Sequence, residues 1–439
     1  MTQGKNRRWK VAFLFALALL MGIAWLIVIP PPLNGKSKWS NFHPDEVSHI
    51  SVARYMASHR LSLPPYASPY DTSVHPPLYH GLAGIVFTAA ATVLSESGAL
   101  QAMRLFGVLI GLGTIWYSYR AASQVRLSRS VAFPAAFLVA SVPMRMSLSG
   151  AVTNENLAAL GAAATLAFLY ENIRFGFAGR RFVALVFWCV VAVGCKITCA
   201  GLLLSIGVGL LYSRKWRGEP LRVPISRFAF LIGVIGAAWG WWFAYNIVHF
   251  GDPLRKAAAD RMWDPIQPGY AVISITKGFT PLRYFVSIVG AGWVSFWGCF
   301  DGMTHRFPLL NYLVLFVFQI AAFVGAAFSL RRVLPRSRVE RAICVVTGVF
   351  AAWVFLVYCQ YNWAHYPPQG RYFFVLLAPF GVLMAGGMNA FLRRFVPSQR
   401  WRQGVWLLVA LLLLYLNLYA LRVMPTDRII FRNTANIGA

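Results

Sequence analysis

The chain alternates between apolar runs of about 20 residues and short polar segments, and runs of this length match the hydrocarbon thickness of a bilayer when they are helical. The pattern predicts an all-α polytopic membrane protein with about eleven transmembrane helices. The predicted spans lie near residues 10–30, 105–119, 131–152, 157–173, 182–201, 201–213, 228–249, 309–330, 342–361, 372–392 and 404–421.

One more apolar segment, residues 78–94, decides the orientation of everything after it. If this segment spans, the later basic clusters face outward, opposite to the amino terminus. If it is an interfacial helix in the first outer loop, those clusters share the cytoplasmic side with the amino terminus, as the positive-inside rule favours. The clusters begin at Arg120, Arg174, Arg214, Arg331 and Arg393.

This topology separates the acidic residues as well. Only Glu171, Glu219 and Glu340 of the 13 acids fall inside, and the others lie at the outer face. The topology rule concerns Lys and Arg, so the separation of the acids is an independent observation. The topology also creates two long outer loops, residues 31–104 and 250–308, in a single integral membrane domain of residues 1–439. We therefore expect a polar site built from outer loops.

The amino-acid composition limits the classes of function that are consistent with the sequence. The chain is 58% hydrophobic with a mean hydropathy of +0.58, and its formal charge is +28. The basic residues stand in short clusters between apolar runs, which suits membrane lipid headgroups and argues against nucleic-acid binding. The six cysteines have no metal-type spacing and indicate packing positions. The first apolar run is long enough to span and lacks a cleavage site, so we expect an uncleaved first helix.

The stretch "HPDEVSH" at residues 43–49 places two acids side by side between histidines. Pro44 can start a helix with Asp45 and Glu46 in its first turn, where the helix dipole favours negative charge. Asp45 and His49 are four residues apart and would share a helix face. A carboxylate and an imidazole on one face can deprotonate a hydroxyl or hold a divalent cation, so both a structural and a catalytic interpretation stand.

Two further stretches add candidates at the same face. His75 in "VHPPLYHGLAG" precedes the interfacial helix, and it could equally be a surface histidine beside a turn. In "TNENLAAL", Asn154 could cap a helix with Glu155 in its first turn. The topology nevertheless brings Glu155 to the face that carries Asp45.

Three cations complete the candidate site. Lys196 in "AVGCKITCAG", Arg104 in "AMRLFG" and Arg371 in "YPPQGRYFF" lie at or near the outer ends of spans. Snorkelling explains any single one of them. Together, several basic groups near carboxylates at one bilayer face suit a lipid-linked phosphate or pyrophosphate beside a general base.

The ordered set of motifs resembles the GT-C membrane glycosyltransferases, in particular the bacterial relatives of protein O-mannosyltransferases and of lipid A aminoarabinose transferases. The motifs that carry the resemblance are "PDEVSH", "HPPLYH", "RLFGVLIGLGTIWYSYRAA", "TNENLAAL", "VGCKITCAGLLL", "WWFAYNIVHFGDPL" and "QGRYFF". They cover most of the chain in the expected order.

The resemblance implies a polyprenyl-phosphate-linked sugar donor, used at the outer face, and a first-loop Asp that acts at the acceptor. In this chain, Asp45 resembles that first-loop Asp, and Glu46 stands beside it. Glu155 resembles the second acidic position of the family. The relatives more often have Asp at the second position, and they divide on metal use. A divalent cation on Asp45, His49 and Glu155 therefore stays open, and no nucleotide is expected.

The resulting hypothesis is an inverting glycosyltransferase of the inner membrane, with a cytoplasmic amino terminus and a periplasmic active site. Lys196, Arg371 and Arg104 would hold the donor phosphate, and His49 and His75 would orient the reactants. The acceptor could be a glycan, a lipid or a protein. The alternatives are a glycan ligase or polymerase with a pyrophosphate-linked donor, a transporter or lipid flippase, and an inactive partner subunit.

Overall fold

The computed structural model describes residues 2–29, 43–125, 131–333, 337–366 and 368–435. These residues form α-helices, three 3-10 helices and one small β-hairpin, which confirms the prediction of an all-α membrane protein. The first seven α-helices are α1 Thr2–Val28, α2 Glu46–Ser58, α3 Leu78–Ala91, α4 Glu96–Gln124, α5 Ala132–Ser141, α6 Pro143–Ser149 and α7 Asn154–Phe175.

The second part of the chain adds ten α-helices and the hairpin. The strands β1 Cys299–Phe300 and β2 His305–Arg306 pair antiparallel. The 3-10 helices are Asp71–Val74, Ile197–Ala200 and Gly370–Leu376. The helices are α8 Gly179–Val193, α9 Gly201–Arg217, α10 Arg222–Phe250, α11 Lys256–Trp263, α12 Tyr270–Lys277, α13 Pro281–Gly298, α14 Leu309–Val333, α15 Arg338–Ala364, α16 Leu377–Phe395 and α17 Gln399–Ala435.

Short hydroxyl side chains set the first residues of several helices. Ser95 accepts a hydrogen bond from a backbone N–H in the first turn of α4, and Thr153 does the same for α7. Thr280 caps α13 just before a proline at its first position, and Ser337 caps α15. These side chains satisfy backbone donors that have no partner inside the helix, so they fix where each helix begins.

In the described part of the chain, eight helices are long and apolar enough to cross a membrane, or nine if the bent pair α5 and α6 is one span. The predicted count of eleven is therefore not confirmed, although a helix occupies every predicted run. The two predicted runs that are not among these nine candidate spans correspond to helices α7 and α8. Helix α8 has only 15 residues.

Helix α7 stands at the centre of the bundle. All of its residues from Asn154 to Ile173 are buried, mainly against α4 and α8. A helix that touches protein on every side does not need the apolar composition of a lipid-facing helix. This explains why α7 tolerates many small residues and a carboxylate at each end, Glu155 and Glu171.

The predicted span at residues 131–152 is broken in the structure. Helices α5 and α6 meet at Val142 with a bend of 68°. Pro143 is the first residue of α6, and it has no N–H to continue the hydrogen-bond ladder of α5. After the break, α6 reaches His43, whose Nε2 lies 3.0 Å from the Ser147 hydroxyl.

The short length of helix α3 supports the prediction that segment 78–94 is an interfacial helix and does not span the membrane. Its 14 residues rise about 21 Å, less than the roughly 30 Å of a hydrocarbon core. It packs closely on α2, because a Cβ at Gly84 would come within 2.7 Å of the Ala53 carbonyl oxygen. The N–H of Leu78 donates to the Gly194 carbonyl, which ties α3 to the end of α8.

The segment 250–308 is more helical than a loop. It contains α11, α12, the 18-residue α13 and the hairpin. We did not predict α13, which packs against the 3-10 helix Gly370–Leu376. The Gly370 N–H donates to the Ser295 hydroxyl on α13, and a Cβ at Gly370 would lie 2.2 Å from the Phe296 nitrogen. Glycine is therefore required at this contact.

The three acids assigned to the cytoplasmic side pair with arginines assigned to the same side. Arg120 donates to Glu171 at 2.6 Å, and Arg174 donates to Glu340 at 2.7 Å. The third pair is Arg227 with Glu219, also at 2.7 Å. These contacts agree with the grouping of residues by side. Which compartment that side faces stays a prediction.

Labelling across α4 tests the topology. We expect Val93→Cys, whose parent residue is 80% exposed before α4, to react with a membrane-impermeant maleimide in right-side-out vesicles. Ser123→Cys, at an exposed position near the other end of α4, should react only after permeabilisation. Labelling of the parent chain, which has six cysteines, supplies the background. Reaction of both variants from the same side would contradict a membrane-crossing α4.

Candidate active site

Asp45 occupies a special backbone position at the start of α2. It is the N-cap residue, with left-handed φ and ψ angles of 61° and 5°, and its side chain makes no capping hydrogen bond. The helix therefore begins at Glu46, two residues later than the predicted start at Pro44, and Glu46 is the one acid in its first turn. The Asp45 side chain is 39% exposed and pairs with the buried guanidinium of Arg371, which also donates to the Pro44 carbonyl at 3.3 Å.

Glu46 points the other way, into the protein. Its carboxylate accepts two hydrogen bonds from Arg104, at 2.8 and 2.6 Å, and one from the Val152 N–H at 2.8 Å. His43 Nδ1 lies 3.0 Å from the same carboxylate. Arg104 also donates to the Ile29 carbonyl.

This network is structural in its geometry. Glu46 and Arg104 are 1% and 0% exposed, so neither reaches a substrate in this arrangement. Burial alone would raise the pKa of Glu46, but the Arg104 charge and the hydrogen bond from His43 hold that pKa below its usual value. The contacts join α2 to the end of α1, to α4 and to the turn before α7.

Glu155 and Lys196 form a second buried ion pair near Asp45. The distance from Lys196 Nζ to Glu155 Oε1 is 2.5 Å, and the other carboxylate oxygen is buried without a hydrogen-bond partner among the described residues. Thr153, not Asn154 as predicted, caps α7. Asn154 instead donates to the Cys195 carbonyl at 3.0 Å, which fixes the turn that carries Lys196.

Tyr372 brings the two cations together. Lys196 Nζ lies 4.9 Å from the centre of its ring, and the Arg371 guanidinium carbon lies 5.6 Å from the same centre. Both cations are therefore beside one aromatic ring, each with a carboxylate partner. This is an alternating arrangement of two positive and two negative groups at one end of the bundle.

The histidines form a stack beside the acids. His49 Nδ1 lies 2.8 Å from His80 Nε2, and the rings of His49 and His75 are parallel at 6.3 Å. The predicted shared face of Asp45 and His49 does not bring their side chains into a hydrogen bond, because His49 turns to His80 and Asp45 turns to Arg371. Burial and the nearby Lys196 lower the pKa of His75 to about 3.

The charge on each group follows from these contacts. Burial raises the pKa of Asp45, but the Arg371 charge outweighs this effect and holds the pKa below its usual value. Burial and the neighbouring His80 hold the pKa of His49 well below its usual value. At neutral pH the site thus combines an ionised Asp45 with neutral histidines, so Asp45 is the better placed proton acceptor.

The metal candidates do not converge into a ligand set. Across the described ranges, no three His, Cys, Asp or Glu side chains are grouped to hold a metal ion. His49 contacts His80, Glu155 contacts Lys196, and Asp45 contacts Arg371. A divalent cation on the three predicted residues would require new side-chain positions.

The sequence alone did not single out three residues of the site. They are Asp71, His80 and Tyr372. His80 and Tyr372 stood inside the quoted motifs "HPPLYH" and "QGRYFF", which was the available signal. Asp71 starts the 3-10 helix before His75, and burial, together with the negative charge of Asp45, raises its pKa although a Ser48 hydrogen bond opposes the rise.

Comparison with solved structures decides the fold. An oligosaccharyltransferase of Archaeoglobus fulgidus in its apo form aligns over 95% of this chain with a TM-score of 0.56 and 15% identity. ArnT from Cupriavidus metallidurans, bound to undecaprenyl phosphate, aligns over 91% with a TM-score of 0.52 and 17% identity. Both are GT-C glycosyltransferases. The chain has the GT-C fold.

A third structure has the same GT-C fold, the A. fulgidus oligosaccharyltransferase AglB in complex with an inhibitory peptide and a dolichol-phosphate. It aligns over 96% of this chain with a TM-score of 0.54 and 15% identity. The alignments cover 56% of each oligosaccharyltransferase chain and 62% of ArnT, so the chain spans under two thirds of their lengths. No protein-family model and no curated protein sequence matches the chain.

Stability measurements can distinguish the buried Glu46–Arg104 pair from the exposed Arg54–Glu96 pair. Arg104→Met leaves the Glu46 carboxylate buried without its partner, so we expect a loss of about 3–5 kcal/mol in the free energy of unfolding. Arg54→Met breaks the Arg54–Glu96 pair, whose side chains are 41% and 46% exposed, and should cost about 0–1 kcal/mol. Thermal unfolding in one detergent measures both. Equal losses would contradict a structural role for the Glu46–Arg104 pair.

Proposed function

We propose that this protein is a glycosyltransferase that moves a sugar from a polyprenyl-phosphate carrier to an acceptor. One observation carries the proposal: on a GT-C fold, a solvent-accessible Asp45 carboxylate stands beside two buried cations, Lys196 and Arg371. The reaction would take place at the periplasmic face of the inner membrane, since the positions of the basic clusters in the sequence favour an outer location for this end of the bundle.

Lys196 and Arg371 are suited to the donor phosphate. Each carries a positive charge in a buried place, and both lie beside the Tyr372 ring. Arginine offers two parallel donors to phosphate oxygens, and lysine offers a compact charge. Arg104, predicted as a third phosphate ligand, is instead enclosed with Glu46.

The ion pairs also suggest an order of events. Without donor, Arg371 is neutralised by Asp45 and Lys196 by Glu155. A bound phosphate would compete for both cations and would release Asp45 from Arg371. Losing that positive neighbour raises the proton affinity of Asp45. The base would therefore become effective once the donor is in place.

The transfer step is a single displacement. The acceptor hydroxyl oxygen attacks the anomeric carbon and forms the new glycosidic bond, while its proton goes to Asp45. The bond from the anomeric carbon to the phosphate oxygen breaks, and its electron pair leaves with the polyprenyl phosphate. Lys196 and Arg371 stabilise the added negative charge on the departing phosphate. Attack opposite to the leaving group inverts the anomeric centre.

The compared structures support the choice of donor. One contains a dolichol-phosphate and another contains undecaprenyl phosphate, and both ligands are polyprenyl phosphates. A glycan ligase that uses a pyrophosphate-linked donor is the second candidate, because two oligosaccharyltransferase structures share the fold and two cations also suit a pyrophosphate. A transporter is less well supported, because the charged cluster joins groups from one end of the bundle.

Removal of the proposed base tests the proposal. We expect Asp45→Asn to fold normally and to lose sugar transfer by at least about 100-fold, as general bases commonly contribute 10²–10⁴-fold. The assay measures polyprenyl phosphate released from a radiolabelled polyprenyl-phosphate sugar with a membrane extract as acceptor. A parallel reaction with the pyrophosphate-linked donor distinguishes the ligase. Asp264→Asn, a matched change at a 65% exposed outer side chain, should keep normal turnover. Equal turnover of Asp45→Asn and wild type would remove Asp45 from the mechanism.

The pH dependence of the reaction tests the role of Arg371. Burial raises the pKa of Asp45 and Arg371 lowers it, so Arg371→Gln should leave the carboxyl with a higher pKa. A higher pKa keeps the base protonated to a higher pH. The acid limb of the kcat/KM profile for donor should therefore move upward in pH for Arg371→Gln, together with a higher KM for donor. An unshifted limb with an unchanged KM would show that Arg371 neither sets the pKa of Asp45 nor holds the donor.

A further inference from the structure

A second carboxylate, that of Asp71, lies near Asp45 and has no role in the transfer step described above. Asp71 is the first residue of the 3-10 helix Asp71–Val74, and its side chain is half-buried. Asp45 lies within electrostatic reach of it. Among the residues that the structure describes, no lysine, arginine or histidine forms an ion pair with Asp71, so no basic neighbour neutralises its negative charge.

Helix α2 holds the segment that carries Asp71. The Ser48 hydroxyl lies 2.9 Å from the Thr72 hydroxyl and accepts a hydrogen bond from the Thr72 N–H at 3.0 Å. The same N–H donates to the Asp71 carboxylate, also at 3.0 Å. Ser48 stands about one turn of α2 after Asp45. The Asp71 carboxylate is therefore held against the first turn of the helix that follows the proposed base.

The second outer segment holds the same 3-10 helix from another direction. Arg255, which is fully buried at the start of α11, donates to the Ser73 carbonyl at 3.1 Å. Ser73 is itself buried. Because the 3-10 helix is bound both to α2 and to Arg255, it has little freedom to turn Asp71 away from Asp45. The proximity of the two carboxylates is thus a property of the fold.

Two carboxylates within electrostatic reach affect each other's ionisation. A nearby negative charge disfavours the ionised form of a carboxyl group, so each carboxylate strengthens the other as a base. Burial and the charge of Asp45 accordingly raise the pKa of Asp71. At Asp45 the effect of Asp71 is masked without donor, because the Arg371 charge holds the pKa of Asp45 below its usual value. A donor phosphate that engages Arg371 would remove the mask and leave Asp71 in place.

The other groups around the pair do not supply this negative charge. Tyrosine hydroxyls are uncharged at neutral pH, and His75 is neutral there because burial and Lys196 lower its pKa to about 3. Lys196 is itself paired with Glu155. The titratable groups that face Asp45 or Asp71 are Arg371, Lys196, His75, Tyr66, Tyr361 and Tyr372.

We infer that Asp71 is a positioning residue of the transfer reaction, whose carboxylate acts through Asp45 and strengthens it as the proton acceptor once the donor phosphate has engaged Arg371. The inference rests on the proposed function, because it takes Asp45 as the base. It gives Arg371 and Asp71 opposite effects on that base. Arg371 weakens Asp45 in the donor-free protein, and Asp71 strengthens it in the loaded one.

The pH profile of Asp71→Asn, in the full-length protein in lipid nanodiscs, tests this inference through release of polyprenyl phosphate. Asparagine keeps an oxygen for the Thr72 N–H, so we expect the segment to fold as before. Loss of the second negative charge lowers the apparent pKa of the base. The acid limb of the kcat/KM profile for donor should therefore move to lower pH, with a lower plateau because the base is weaker. This shift is opposite in direction to the one expected for Arg371→Gln.

Two variants control for charge and structure. Asp71→Glu keeps the negative charge and should keep the acid limb of the wild type. Asp264→Asn removes one charge at a 65% exposed side chain and should leave both limb and plateau unchanged. If Asp71→Asn lowers the plateau without moving the limb, or moves the limb to higher pH, the inference is overturned while the proposed function stands. Turnover that is independent of Asp45 would overturn the proposed function itself.

Discussion

The buried contact between Glu46 and Arg104 holds α2 against the transmembrane bundle. Both side chains are almost fully enclosed, and the Glu46 carboxylate also accepts from the backbone before α7. A charge pair of this kind is stable only when its remaining hydrogen-bonding groups are satisfied, and here His43, Val152 and Ile29 supply those partners. The position of α2, and with it the direction of the neighbouring Asp45, depends on this contact.

Adjacent acids in one dipeptide thus have opposite environments. Glu46 faces inward and is fixed, while Asp45 adopts a left-handed conformation that turns its side chain toward solvent and Arg371. A non-glycine residue in this conformation is uncommon, and such residues often mark sites where function constrains the backbone. The sharp change of direction between the two residues is what allows a rigid anchor and an accessible carboxylate to stand side by side.

Several features could be predicted because they depend on local pattern. The lengths of the apolar runs indicated where the helices lie. The basic clusters predicted the topology, and the topology predicted which acidic residues lie at the same end of the bundle. The inward role of Glu46 could not be predicted, because its partner Arg104 is 58 residues away and only the tertiary fold brings them together. Helix α13 was missed because Arg283 and several glycines and tryptophans lower its hydropathy, although it is packed against the 3-10 helix that carries Arg371. Pro143 was itself a local signal for the break, but the length of the apolar run around it indicated one continuous helix.

The enclosed helix α7 has a consequence for how the protein responds to its membrane. It carries Glu155 at one end and Glu171, paired with Arg120, at the other, and the 16 steps between them amount to about 24 Å of α-helix. Because protein surrounds this helix, its length does not adjust to lipid, whereas the outer helices can tilt to match a thicker or thinner bilayer. The depth of Glu155 is therefore fixed relative to the Glu171–Arg120 pair at the other end of the helix. The spacing between the charged groups at the two ends of the bundle therefore stays constant when bilayer thickness changes, and the surrounding lipid must adapt to it.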